Sequence, residues 1–386
     1  MTSTSIDLTE PGFVADPYPR FAEERARAGI AWHEPSGRYL TFSHAAAGAV
    51  LRNRGLGRLW VDREPADRLE PFNLLHRNQM MENEPPDHTR LRRLVAGAFA
   101  RGHVDRLRPR IRALAAGLLD EVDAAGFDVL ADYAEPLPVL VIAELLGVPP
   151  SRAPELRQWS QAIVRMYEPA PDDRVVAEAV AAAEVFAGAV RELARDRARA
   201  PADDLLSHLV AARDGEARLT EDEVVASAVL LLNAGHEASV NVFGNGLVAL
   251  LSRGLVPGAV VETCVEEMLR FDSALQLFER TATRDVVIGD VTVHAGERVA
   301  ALLGAANRDP AVFAEPDRFD PGRDPNPHLA FGAGLHFCLG APLARLELAE
   351  SLALLFARFP ALRLVGDPVS RGTFVLRGHA SVTVAG

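Results

Sequence analysis

Phe331-Gly332-Ala333-Gly334-Leu335-His336-Phe337-Cys338-Leu339-Gly340 is the segment of this sequence with the most chemical content. A glycine-rich loop leads into an apolar series, Leu339, Leu343 and Leu346, at helical spacing, so Cys338 is expected at a helix N-terminus. Unsatisfied N–H groups and the positive end of the helix dipole lower a thiol pKa there and favour the thiolate that metal ligation needs. Gly332, Gly334 and Gly340 allow tight turns and let a flat macrocycle approach without side-chain collision. The competing reading is that Cys338 is a small buried hydrophobe, the commonest fate of a lone intracellular cysteine. Zinc is disfavoured, because no second Cys or His stands at CxxC or HxxxH spacing and His236-Glu237 is followed by Val240 where a zincin helix needs His.

A second chemical feature interrupts a long apolar helix. Thr220 and Glu223 form a capping-box pair, and the pattern then runs to Arg253-Gly254, predicting about thirty residues and a rod of roughly 45 Å. Its centre, Leu231-Leu232-Asn233-Ala234-Gly235-His236-Glu237-Ala238-Ser239, places an acid and several polar groups inside a Leu/Val/Ala segment. By itself this is equally a solvated stripe of an amphipathic helix.

His88 and Arg92 share one helix face in Pro86-Asp87-His88-Thr89-Arg90-Leu91-Arg92-Arg93, where both could reach one carboxylate, although a solvated basic face is the plainer reading. Glu267 and Arg270, three apart, form an ExxR pair that carries little information in isolation.

The elements around these groups are read from periodicity and punctuation. A helix near Tyr18 to Ala28 and strands around Ile30 to Phe42 precede an irregular stretch, Arg54 to Pro86, read as loop. From His88 to about Arg213 the pattern is helical, with breaks at Gly102, Pro136, Pro149-Pro150 and Pro169 to Pro171. Strand signals return over Asp285 to Val299 and Leu364 to Val384, and nothing marks a domain boundary or a repeat.

The 41 basic and 53 acidic residues give a net charge of −12, which argues against nucleic acid as a partner. All the basic residues are arginine. No stretch approaches the roughly 18 apolar residues of a membrane span, the start has no basic-then-apolar leader pattern, and two cysteines make no disulfide framework, so no membrane association and a cytoplasmic location are expected.

Taken together, these motifs resemble the cytochrome P450 family along the whole chain, from Asp16-Pro17-Tyr18-Pro19 onward. The cysteine loop is similar to the family's heme-binding signature in Phe331, Gly332, Gly334, Cys338 and Gly340. The resemblance implies a mainly α fold with small β-sheets, the P450 fold, as one domain over residues 1–386. It further implies heme b between the long helix and the helix after Cys338, with Cys338 as the iron ligand. A thiolate ligand favours O–O cleavage and so points to oxygen activation. Pro85-Pro86-Asp87-His88-Thr89 with Arg92 looks like a family segment that, with Arg280 and His336, contacts the heme propionates, and Glu267 and Arg270 are read as structural, met by the segment of Asp320 and Arg323.

Ala234, Gly235, His236, Glu237 and Ala238 resemble the family's oxygen-binding helix, which makes Gly235 the place of room for dioxygen and Glu237 a proton-relay member. The usual threonine is Ala238, which donates no hydrogen bond, so protons must come by Ser239, ordered water or a substrate hydroxyl.

By the same analogy the substrate pocket draws on Leu74, Leu231, Asn233, Leu275, Gln276, Leu277, Phe278 and Phe374, with Asn233 and Gln276 placed to orient a polar group. The implied activity is oxidation, foremost hydroxylation, of a small, largely apolar organic substrate with dioxygen, in secondary metabolism. Ferredoxin and its reductase are the implied electron carriers, met by a basic patch of Arg92, Arg93, Arg101, Arg106 and Arg108. Two alternatives stand: a peroxide-using or coupling heme-thiolate enzyme, prompted by Ala238, and a heme-based ligand sensor that never turns over.

Overall fold

The computed structural model describes residues 2–97, 104–168 and 171–386. Arg101, Gly102, Pro169 and Ala170 lie outside the described residues, so the expected helix break at Gly102 and part of the basic patch are not placed.

Helices build the centre, and the longest is the one expected from its caps. Glu221–Leu251 starts at a complete capping box: the Thr220 hydroxyl accepts from the Glu223 N–H, and the Glu223 carboxylate accepts from the Thr220 N–H. Its Leu, Val and Ala residues are buried almost all round, because it packs against Pro136–Leu146, Asp173–Arg199 and Val261–Phe271. Hereafter it is the central helix.

A six-stranded sheet forms one flank, in the order Ser3–Thr4, Ile30–His33, Arg38–Thr41, Arg298–Leu302, Leu277–Ala282 and Leu56–Gly57. Arg298–Leu302 is parallel to Arg38–Thr41 and antiparallel to Leu277–Ala282, with Val299 opposite both Tyr39 and Arg280. The period of two puts Phe278 and Arg280 on one face of their strand. Three- and two-stranded sheets built partly from the tail complete the mainly α fold with small sheets.

The stretch read as loop contains a helix, Ala66–Arg77, despite Pro71 in its interior. Leu69, Phe72 and Leu75, three apart, bury against the core and hold it helical, which outweighs the missing proline N–H. Leu56–Gly57 also forms a short strand there, and Met80–Glu82 a 3-10 turn.

The ExxR pair is fully buried. Arg270 donates Nε and Nη2 to the two Glu267 carboxylate oxygens, each at 2.7 Å, and gives its other donors to the carbonyls of Asn307, Pro316 and Arg318. Glu267 also accepts from Arg323 Nε, Asn326 Nδ2 and the Asp320 N–H. This knot ties Val261–Phe271 to the irregular segment that leads to the cysteine loop.

Candidate active site

The cysteine loop owes its path to two left-handed glycines, Gly332 at φ 69° and Gly334 at φ 72°. A Cβ on Gly334 would lie 2.5 Å from the Leu51 carbonyl oxygen, so no other residue fits there. The helix that follows is Ala341–Arg358, with Gly340 as its N-cap, so Cys338 stands two positions before the N-cap instead of beginning the helix. The expected lowering of the Cys338 thiol is not the net result, because burial outweighs the helix-end N–H groups and raises it above its ordinary value. The Cys338 N–H donates to the Phe331 carbonyl at 3.0 Å. Burial pushes the thiol up, while N–H groups of Gly340 and Ala341 and the charges of Arg92 and Arg345 pull the other way. Phe331 is held beneath Arg345, whose guanidinium carbon is 4.5 Å from the ring centroid.

Four basic residues converge on this loop. His88, buried in the helix Asp87–Ala96, has no hydrogen-bond partner at either ring nitrogen. Burial, with help from His336 and Arg92, pushes its imidazole down to about 4. Its ring centroid is 4.4 Å from that of His336, and Arg92 Nη2 donates to the Phe337 carbonyl at 2.7 Å. Arg280 is 3 % exposed and gives one bond, from Nη1 to the Glu279 carbonyl. Burial and the neighbouring Arg58 bring it down to about 10, and it makes no ion pair among the described residues. An unpartnered His88 ring and an Arg280 charge without a counter-ion are costly to bury unless an anion completes them. Glu84 is an unforeseen member: its Oε1 lies 2.7 Å from His336 Nε2 and 2.7 Å from the Arg58 N, accepting from both.

Midway along its length the central helix opens at one turn. Ala234 is exposed and Gly235 and Ala238 are partly so, while Leu231 to Asn233, His236, Glu237, Ser239 and Val240 are buried. A Cβ on Gly235 or on Gly340 would meet nothing within 4 Å. Small residues on the central helix and at the head of Ala341–Arg358 thus leave space for a flat group, and the unpartnered donors suit its acidic edge. The residues present fit an iron macrocycle with carboxylate substituents.

Glu237 does not face open solvent. Its Oε2 accepts from Arg371 Nη1 at 2.7 Å, and Arg371 also donates to Glu135, which in turn pairs with Arg157. Glu237 Oε1 has no hydrogen-bond partner and lies 3.6 Å from His236 Nδ1, and burial pushes the His236 imidazole down to about 4. A chain of alternating charges therefore runs from the middle of the central helix to Arg157, which is 38 % exposed. Arg371 and Glu135 stand 134 and 102 positions from Glu237, too far for any local pattern to suggest them.

The expected pocket residues divide. Leu231 is buried in the main core and Leu74 packs against it, and Asn233 has a buried, unpartnered Oδ1. Leu275 and Phe278 pack on the core of the six-stranded sheet. Gln276 is fully buried on that flank, giving Nε2 to the Ser273 carbonyl at 2.7 Å and to the Tyr18 hydroxyl at 3.3 Å. Leu277 and Phe374 join the N-terminal aromatic cluster, with Phe374 packed on Phe13 and Phe21. Of the basic patch, Arg108 is paired with Glu350.

The family model Cytochrome P450 matches residues 259–371. Over its length the chain is 40% identical to nocardicin C N-oxygenase of Nocardia uniformis subsp. tsuyamanensis, a match that covers 94% of this chain and 91% of that protein. The chain is a cytochrome P450. It is also 41% identical to 6-deoxyerythronolide B hydroxylase of Saccharopolyspora erythraea, over 80% of this chain and 78% of that one. The crystal structure of P450BioI in complex with hexadec-9Z-enoic acid ligated acyl carrier protein superposes with a TM-score of 0.91 at 32% identity, covering 98% of this chain and all of that one. As a P450 it is a heme-thiolate monooxygenase, using heme iron, dioxygen and a redox partner on a small-molecule substrate. No helix among the described residues is long and apolar enough to cross a membrane.

Proposed function

We propose that this P450 binds heme b through the Cys338 thiolate, with His88, Arg92, Arg280 and His336 on the propionates, and oxidises a small, largely apolar organic molecule in secondary metabolism. The observation that carries this reading is a buried His88 ring without hydrogen-bond partners and a buried Arg280 without an ion pair among the described residues, beside a cysteine whose sulfur is turned toward backbone N–H groups. Nocardicin and erythronolide products in the names of relatives support the metabolic setting.

Bound there, heme iron would supply the reduction of dioxygen, one atom entering the substrate and the other leaving as water. The chain's own work is positioning. Arg92 and Arg280 would neutralise the acid edge, the Gly340 and Ala341 amides stabilise negative charge on Sγ, and Ala234, Gly235 and Ala238 leave room along the central helix. Glu237 brings an ionisable group to that stretch, and Arg371 fixes its orientation. With Ala238 in place of a hydroxyl, a polar substrate group, or a water it holds, supplies the missing donor.

Ferredoxin and ferredoxin reductase are the electron carriers we favour. Docking is read on the cysteine side, where Arg92 lies against the loop and Arg106 is exposed. Turnover indifferent to ionic strength would rule out docking through these arginines. The decisive experiment is the carbon monoxide spectrum of the reduced holoprotein: a red-shifted Soret band is expected for sulfur ligation, and its absence in freshly purified wild type would overturn the assignment of Cys338.

A further inference from the structure

A small cavity beside the central helix has a polar wall that the oxidation chemistry does not use. It lies between the helix Ala66–Arg77, the 3-10 turn Arg165–Tyr167 and the central helix, and His76, Gln79, Tyr167 and Asn233 line it together with Leu75 and Leu230. Leu230 stands one turn before Ala234, and Asn233 is its immediate neighbour, so the cavity adjoins the open turn of that helix. Its volume, about 10 Å³, admits one water-sized group.

The hydrogen-bond directions in this wall follow from one carbonyl. His76 is buried, its ring centroid 4.7 Å from that of Trp60 and 3.9 Å from that of Phe72. Its Nδ1 is 2.7 Å from the Phe72 carbonyl oxygen, which only accepts, so Nδ1 carries the proton. Burial keeps the ring neutral, with its pKa brought down to about 4. Nε2 is therefore bare and accepts from the Tyr167 hydroxyl, 3.1 Å away. The Tyr167 proton is thereby committed, leaving its oxygen as an acceptor. Asn233 Oδ1 is a second acceptor, buried and without a partner.

We propose that Tyr167 and Asn233 read a neutral hydrogen-bond donor, a hydroxyl or amide N–H, on an otherwise apolar substrate, with His76 as the positioning residue that fixes Tyr167 as an acceptor. The cavity wall contains no carboxylate to balance an ammonium, so the donor is uncharged. Ethers and ketones of the same shape bring only acceptors to this wall and leave Tyr167 and Asn233 unsatisfied. The inference rests on the reading of this space as part of the substrate chamber of a heme-thiolate enzyme.

The test is calorimetric titration of the holoenzyme with a panel of matched pairs, each a fatty, terpenoid or macrolactone alcohol and its methyl ether. Wild type is expected to bind the alcohols at least about tenfold more tightly than their ethers. In His76→Phe the Tyr167 proton is released, and the preference is expected to fall or invert toward ethers. Tyr167→Phe and Asn233→Leu should each reduce it, and they carry the comparison if His76→Phe fails to fold. An alcohol-to-ether ratio unchanged across wild type and variants overturns the proposal, as does a panel in which no alcohol binds wild type better than its ether. A loss of the sulfur-type carbon monoxide spectrum in the same wild-type preparation would instead indict the heme-thiolate reading.

Discussion

Arg371 donates to Glu237 across 2.7 Å and so joins the C-terminal tail to the middle of the central helix. Removing one member of a buried ion pair leaves an uncompensated charge. Arg371→Met is therefore expected to destabilise the holoprotein by about 3 kcal/mol. Adding Glu237→Gln should return part of that loss, measured as urea midpoints. Additive single and double variants would show that the contact carries no coupling.

Ala238→Thr restores a hydroxyl on the open turn. The ratio of product formed to reductant consumed is expected to change, most for substrate analogues stripped of polar groups. Equal ratios in wild type and variant with every analogue would remove any role for a substrate-held donor.

The glycines of the cysteine loop should separate by function. Gly334→Ala meets both a positive φ and the Leu51 carbonyl, so a cost of at least about 2 kcal/mol is expected with or without heme. Gly340→Ala has φ −81° and open space, so the heme-free fold should be untouched while heme occupancy falls. Thermal unfolding and the ratio of Soret to protein absorbance distinguish the two.

Glu266 gives the fold a pH dependence. Burial pushes its carboxyl up, but hydrogen bonds from Arg345 and His328 overcome this and bring it down to about 2 from 4.5. The unfolded chain therefore binds the proton first, so the stabilisation is complete above pH 4.5 and is lost as pH falls toward about 2. Glu266→Gln should cost about 2 kcal/mol at pH 7, and the gap to wild type should narrow below pH 4.5 and close only as pH approaches about 2. A gap independent of pH would assign the effect to packing.

Local chemistry was legible in the sequence wherever partners lie close along the chain. The capping box of Thr220 and Glu223, the glycine loop before Cys338 and the shared face of His88 and Arg92 all rest on spacings of a few residues. Residues joined by folding alone were not. The pairings of Glu237 with Arg371, His336 with Glu84 and His76 with Tyr167 span 134, 252 and 91 positions, and no periodicity carries such information. The helix Ala66–Arg77 was hidden by Pro71, whose local penalty is outweighed by the burial of Leu69, Phe72 and Leu75. Gln276, read from the sequence as able to orient a substrate, gives its Nε2 to the Ser273 carbonyl and the Tyr18 hydroxyl and keeps a buried, unpartnered Oε1, and its contact with Tyr18 spans 258 positions.

The Glu267 knot has a kinetic corollary. The Asp320 amide lies in irregular backbone, yet its acceptor is a carboxylate sealed in the core, 2.9 Å away. Releasing that proton to solvent requires breaking the Arg270 and Arg323 bonds together, so its hydrogen exchange should be as slow as that of the central helix and follow global unfolding. The approach to the cysteine loop thus has the durability of a core element without being helix or strand.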